Sequence, residues 1–200
     1  MNTETRASIL DAALAVYGRG GARSFSMRAV AAEVGITATA IYRHYPDKAA
    51  LGRALLERAR QLLGGFLLEG VRGKDALERL WSCADAYVRF AVEHPRLYRL
   101  LFLDPLDEAL PDLRSLADRH EDVPFHFVVD RIREAMDEGI IARKDPMRTG
   151  LTVWAHVHGL CALSLSGRLP PESLPQIARE SLQTLFEGLR LEKDDGKHNA

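Results

Sequence analysis

Apolar residues recur at helical spacing along almost the whole chain and predict an all-α protein. Its expected architecture is an N-terminal three-helix unit joined by a long fourth helix to a C-terminal helical bundle, with about nine helices in total. Two further observations agree. Small polar residues stand where the periodic segments begin and Gly or Pro where they end, and no stretch alternates apolar with polar residues as a strand does. The expected division is residues 1–50, residues 51–192 and a disordered tail at 193–200.

Ile9, Leu10, Ala13, Leu14 and Tyr17 mark the first helix, and Gly18, Gly20 and Gly21 stop it. Ser26 is placed to cap MRAVAAEV, because its hydroxyl can accept a bond from an orphan amide of the first turn; Gly35 ends that helix after about two turns. Thr37 caps a third segment, ATAIYRHY, closed by Pro46, and Asp47 caps a long fourth helix starting at Lys48. Inside it, Gly64-Gly65 serves either a bend or a close helix approach. Gly70 and Gly73 precede a helix of roughly 75–93 with Leu77, Leu80, Trp81, Ala84, Tyr87, Val88 and Ala91 inward. His94-Pro95 ends it, and RLYRLLF forms another short helix. Residues 104–122 carry seven Asp/Glu against two Arg, with Pro105 and Pro111, and are expected to form a solvated, partly irregular connection. Phe125, Val128, Val129, Ile132, Ala135 and Met136 draw the stripe of the next helix, closed by Gly139 and Arg143-Lys144. Asp145-Pro146 opens a helix running to about Gly167. The last, from about Glu172 to Leu191, is expected to bury Leu174, Ile177, Ala178, Leu182, Leu185 and Leu189.

Composition narrows the function classes. With 46% hydrophobic and 28% charged residues, 200 residues suffice for a proper core without staples. Cys83 and Cys161 both sit inside apolar helical patterns, which argues against a disulfide framework or a Cys-based zinc site. The N-terminal MNTETRASIL lacks the pattern of a signal peptide and no apolar run is long enough to span a bilayer, so a cytoplasmic protein with no membrane partner is expected. The net charge of −1 hides an asymmetry. Residues 1–60 hold nine Lys/Arg against five Asp/Glu, a net +4, which leaves −5 for the remainder. A mildly basic end on an acidic body permits binding to nucleic acid.

Residues 26–44, SMRAVAAEVGITATAIYRH, combine a two-turn helix, a tight turn at Gly35 and a second helix opened by small polar residues. That is a helix-turn-helix, whose second helix enters the major groove of double-stranded DNA. Ala31 and Ala32 allow a close crossing, and Val30, Val34, Ile36 and Ile41 can fix its angle. Slim Thr37, Ala38 and Thr39 let the backbone reach base edges; Thr39 can bond a base or phosphate. Tyr42, Arg43, His44 and Lys48 offer phosphate contacts. The helix starts at Ser26-Met27 and Lys48 add dipole attraction, and Arg6 can reach a further phosphate or the minor groove.

The stretch from Thr5 to Leu51, with T-x-x-x-I-Y-x-H-Y-x-x-K inside it, resembles the DNA-binding region of the TetR family of transcriptional repressors. By position, the resemblance implies that Ser26, Arg28, Thr37, Thr39, Tyr42, His44 and Lys48 touch an operator. HPRLYRLLF at 94–102 and VWAHVHGLCALSLSGRL at 153–169, with its W-x-x-x-H-G motif, resemble one C-terminal class of that family. The resemblance implies a homodimer formed through the last two helices, and a small-molecule effector that moves the fourth helix and so releases a pseudo-palindromic operator. Ala155, Gly159, Ala162 and Ser166, at i, i+4, i+7 and i+11, make a flat strip that suits either a dimer seam or packing within one chain.

For the effector, Trp81, Tyr87, Phe90, Phe102, Phe125, Trp154, His158 and Cys161 are the candidate pocket residues, since polar tips inside an apolar bundle can orient a hydrophobic or aromatic ligand; each can equally be plain core. No metal or cofactor is expected. His156 and His158 point about 200° apart on a helix, and His158 with Cys161 are too few ligands for a tight site. Catalysis is not expected either. There is no phosphate-cradling loop, nucleophile elbow or HExxH, and the GRGG at 18–21 follows a helix rather than a strand.

Overall fold

The structure, a computed structural model, describes residues 3–104, 106 and 123–189. Most of the acidic connection, the 193–200 tail and the expected end of the last helix at Leu191 lie outside the described residues. Those residues form nine α-helices and one 3₁₀ turn: α1 (Thr3–Ser24), α2 (Met27–Val34), α3 (Ala38–Tyr42), α4 (Lys48–Gly70), α5 (Ala76–Glu93), α6 (Pro95–Phe102), α7 (Val123–Asp137), α8 (Pro146–Leu165), the turn Pro171–Ser173 and α9 (Leu174–Leu189). No strand occurs among the described residues. They fall into two compact units, one made of residues 3–65 with 90–104 and 106, the other of residues 66–89 with 123–189.

In the first unit α1 packs on α2, α2 on α3, and α6 on α1. The ends follow the side-chain chemistry. Ser26 Oγ accepts the Ala29 amide at 3.2 Å, Thr37 Oγ1 the Ala40 amide at 3.2 Å, and Asp47 Oδ1 the Ala50 amide at 2.6 Å. Gly35, at φ 77°, closes α2 in the left-handed conformation that a Cβ disfavours. In α1 the helical dihedrals break at Gly20 and at Gly21, whose φ is 62°, so the glycine cluster ends the regular helix as expected. Ile9, Ala13, Val16, Tyr17, Phe25, Val30, Ile41 and Tyr45 make the core of this small unit.

Within the second unit α7 packs on α8, and α8 on α9. Asp145 Oδ1 accepts the amides of Met147 and Arg148 at 2.9 and 3.1 Å, with Pro146 at the first helical position. A Cβ added at Gly150 would lie 2.9 Å from Val129 Cγ2, so this glycine lets α8 approach α7 closely. Phe125, Val129, Ile132, Ala135 and Met136 are buried along α7, while Val128 is half-buried. In α9 the buried stripe is Leu174, Ala178, Leu182 and Phe186, and Ile177, Leu185 and Leu189 are only half-buried. Phe186 replaces Leu189 in the stripe because the expected one is rotated by a fraction of a turn. In α5, Ala76, Cys83, Ala86 and Phe90 are buried beside Leu80, Tyr87, Val88 and Ala91, and Leu77, Trp81 and Ala84 are half-buried.

Helix α4 is continuous from Lys48 to Gly70, and a Cβ added at Gly64 or Gly65 meets nothing within 4 Å. Close packing against the described residues therefore does not account for these two glycines.

Candidate functional site

The helix-turn-helix presents one exposed face. Ile41 is fully buried under α3, which leaves Thr39, Tyr42 and Arg43, spaced i, i+3 and i+4, on the solvent side. Tyr42 is 52% exposed, unusually so for a large aromatic residue. Ser26, Arg28, Thr37 and Lys48 are exposed as well, and Ala38 and His44 are half-buried. Lys48 Nζ stands 5.9 Å from the centroid of the Phe25 ring, which steadies the first turn of α4.

Two of the expected contact residues have other work in the fold. Met27 is only 6% exposed, and its side chain joins Val30 in the core beneath α2, so it is the amide of Met27 and not its side chain that can face a phosphate. Arg6 is half-buried, with its guanidinium 4.8 Å from the centroid of the buried Tyr45 ring. The interaction holds the start of α1 against the end of the helix-turn-helix.

The local electrostatics favour an anion. Glu33 is the sole acidic residue between positions 26 and 46, and Arg19 holds it in a two-pronged pair at 3.1 and 2.5 Å. Those hydrogen bonds hold the Glu33 carboxyl below its ordinary range. Arg28 and Arg43 are thereby left without a competing carboxylate from that stretch. Spacing alone could not have shown the Arg19–Glu33 pair, since it joins two helices across the Gly18–Gly21 turn.

The aromatic candidates of the body separate into groups. In the second unit, Trp154 Nε1 donates to the Tyr87 hydroxyl at 3.2 Å, and that hydroxyl lies 3.2 Å from His158 Nδ1. Phe125 meets Trp154 edge-on at 5.8 Å, and Trp154 lies 5.2 Å from the His158 ring. Beside this cluster is a cavity of about 30 Å³ lined by Leu80, Cys83, Ala84, Tyr87, Val128, Val153, Trp154 and Val157. Cys161, one turn beyond Val157, is fully buried. Trp81 belongs to a different place, an open cleft of about 590 Å³ between α5 and α9, where its ring meets Phe186 edge-on. Phe90 and Phe102 belong to the first unit, both beside Tyr98. Among the described residues no three His, Cys, Asp or Glu side chains cluster as a metal site would require.

Burial pushes the His158 pKa below its ordinary 6.5 and keeps the imidazole neutral. Since an indole N–H can only donate, the Tyr87 oxygen accepts from Trp154, and the phenol proton is available to a neutral Nδ1. The sign for stability follows. A depressed histidine pKa contributes stability that is present above about pH 6.5 and is lost as the pH falls toward the folded-state value. Urea unfolding at pH 7.5 and 5.5 is therefore expected to show a loss at the lower pH that shrinks in His158→Gln. An equal loss in the variant would assign the dependence to other groups.

A short helix, a left-handed glycine turn, a slim-ended second helix and a basic exposed rim together define a helix-turn-helix DNA-binding protein. Two family profiles match the chain: "Bacterial regulatory proteins, tetR family" over residues 9–64 and "Tetracyclin repressor-like, C-terminal domain" over residues 80–189. The chain belongs to the TetR family of transcriptional regulators. It is similar to the HTH-type transcriptional repressor SCO4008 of Streptomyces coelicolor, with 27% identity over 144 residues, 71% of this chain and 70% of that one. A solved protein of unknown function from Rhodococcus sp. RHA1 superposes with a TM-score of 0.78 and 26% identity, covering 93% of this chain and 95% of that chain. A TetR-like transcriptional regulator from Rhodococcus sp. RHA1 shares the fold at a TM-score of 0.70 and 18% identity, over 94% and 99% of the two chains. No helix among the described residues is long and apolar enough to cross a membrane.

Proposed function

We propose that this regulator is a cytoplasmic repressor that binds a pseudo-palindromic operator as a homodimer and leaves it when a small hydrophobic or aromatic effector enters the body. Residues 1–50 form the DNA-reading head and residues 51–192 the sensing and dimerising body. The observation that carries the reading is the exposed face of α3: Thr39, Tyr42 and Arg43 stand above a buried Ile41, Arg28 on α2 and Lys48 on α4 are exposed as well, and Glu33 is neutralised by Arg19. Thr39 is positioned for base edges, and Tyr42, Arg43, His44 and Lys48 for phosphates.

The homodimer is supported by two strips of matched spacing. Ala155, Gly159, Ala162 and Ser166 run along α8 and just past its end, and Ile177, Ser181, Thr184 and Gly188 along α9, each at i, i+4, i+7 and i+11. Neither strip supplies a fully buried residue, and a Cβ at Gly159 or Gly188 meets nothing within 4 Å among the described residues. The effector site of this reading is the cavity beside Tyr87, Trp154 and His158, where apolar walls surround a few oriented polar tips.

A gel shift with the DNA upstream of the chain's own gene tests the proposal. A retarded complex of one dimer or more, displaced by an excess of the unlabelled fragment but not by unrelated DNA, is the expected result. Binding no stronger than to unrelated DNA would overturn it and favour a helical interaction module instead.

A further inference from the structure

Arg131, on α7, has a defect that its surroundings do not repair. Its Nε is buried and has no hydrogen-bond partner among the described residues. The rest of the side chain is held in place: Nη2 donates to Glu134, the guanidinium lies 5.0 Å from the centroid of the Phe127 ring, and only 17% of the side chain is exposed. A buried, charged donor without an acceptor is among the costlier defects a fold can carry. The neighbouring carboxylates are already committed. Glu134 also accepts Arg79 Nε at 3.1 Å, while Glu138 accepts Arg79 Nη2 at 2.7 Å and the Ala76 amide at 2.9 Å. Two guanidiniums and two carboxylates balance in charge, and the Arg131 Nε is left as a buried donor without an acceptor among the described residues.

None of these four charged side chains lines the cavity, but helical spacing brings the network close to its wall. Val128, a wall residue, stands three residues before Arg131 on α7, and Cys83, another wall residue, stands four after Arg79 on α5. The Cys83 thiol registers the proximity. Its pKa is pushed up to about 11, chiefly by burial, with Arg131 pulling it down and Glu134 pushing it up. The remaining wall is apolar: Leu80, Ala84, Val153 and Val157.

Resting on the reading of this cavity as the effector site, we propose that the effector is an amphipathic carboxylic acid. Its apolar body fills the space beside Trp154 and its carboxylate accepts the Arg131 Nε–H. A carboxylate is preferred over a neutral acceptor because a charge-assisted bond to guanidinium is about twice as strong as a neutral one. The empty cavity has about the volume that one water occupies, so the ligand enters by displacing half-buried wall side chains, Trp154 and Val128.

The test uses the full chain and two matched pairs of probes, 4-phenylbutyrate against 4-phenylbutanol and octanoate against 1-octanol, with calorimetric titration as the readout. For at least one pair the acid is expected to bind about tenfold tighter than the alcohol or more. Arg131→Lys keeps a cation beside Glu134 but has no Nε–H in that place, and it is expected to cut the preference to about twofold while leaving alcohol affinity unchanged. Arg131→Gln serves as the second variant should the lysine variant melt early. Equal binding of acid and alcohol, no binding by any of the four probes, or a preference that survives both substitutions overturns the proposal. The cavity reading fails in a different way. Ala84→Phe, which fills the space, is expected to abolish acid and alcohol binding alike, and retention of both would place the ligand elsewhere and overturn the cavity assignment itself.

Discussion

Replacing Tyr42 and Lys48 together by alanine is expected to weaken binding to every operator-like sequence by about a hundred- to a thousandfold, with the melting temperature nearly unchanged. Both side chains are exposed, so their loss opens no cavity and removes from the fold only the weak Lys48–Phe25 contact. In a homodimer the double variant removes four phosphate contacts, and about 1 kcal/mol for each gives a loss of this size. The salt dependence supplies a second, independent reading. Each lost phosphate charge contact changes the slope of log K against log salt by about 0.9, so removing Lys48 from both subunits lowers it by about two, and removing the neutral Tyr42 does not. Thr39→Ala is expected to behave differently, changing the order of preference among operator variants rather than the affinity for all of them. Gel shifts at two salt concentrations on a small operator panel separate these patterns. Affinity in the double variant within threefold of the wild type would remove both residues from the interface.

The helix-turn-helix was largely legible in the sequence because its determinants are local. Ser26, Thr37 and Asp47 each cap a helix whose first amides lie two or three residues away, as Asp145 does in the body, so spacing along the chain is spacing in the structure. Gly35 fixes the turn for the same reason, through its own φ. The burial of the Met27 side chain was not legible from the motif, because position within a motif does not decide which way a side chain points. At the first turn of α2 it lies three residues before Val30, on the buried stripe.

The body was less legible, because periodicity tells which residues point inward without telling which inward residues meet. Trp81 and Tyr87 are both on α5, yet Trp81 packs with Phe186 in the α5–α9 cleft and Tyr87 with Trp154 and His158. Phe90, three residues on from Tyr87, falls in the other compact unit. The network of Arg79, Arg131, Glu134 and Glu138 was likewise out of reach. Its members read as ordinary helix-surface charges, and only the register of α5 against α7 brings them together. A buried guanidinium N–H without an acceptor is a tertiary property by definition, and no residue spacing announces it.

Gly159→Leu is expected to convert the protein to a monomer at micromolar concentration and to lower operator affinity at least about a hundredfold. The reasoning starts from the space around the glycine. A Cβ there meets nothing within 4 Å among the described residues, so a methyl is accommodated, and leucine is the better helix former by about 0.8 kcal/mol. Loss of the dimer in Gly159→Leu with the dimer kept in Gly159→Ala is therefore the signature of a surface that approaches from outside. The strip is flat because Ala155, Gly159 and Ala162 are small, which allows a second helix pair to come within the 8–10 Å axial separation typical of packed helices; a leucine at its centre holds that pair off. Losing the dimer costs operator affinity for a reason separate from any contact. Two linked heads raise the effective concentration of the second head at its half-site to about the millimolar range, and two unlinked heads do not. Gly159→Ala, which adds one methyl, is expected to remain dimeric and to bind normally, so the pair of variants distinguishes exclusion of a partner from damage to the helix. Sedimentation measurements on both variants decide the point. A Gly159→Leu protein that stays dimeric and binds its operator with wild-type affinity would move the seam away from α8, leaving the open glycines unexplained by dimerisation.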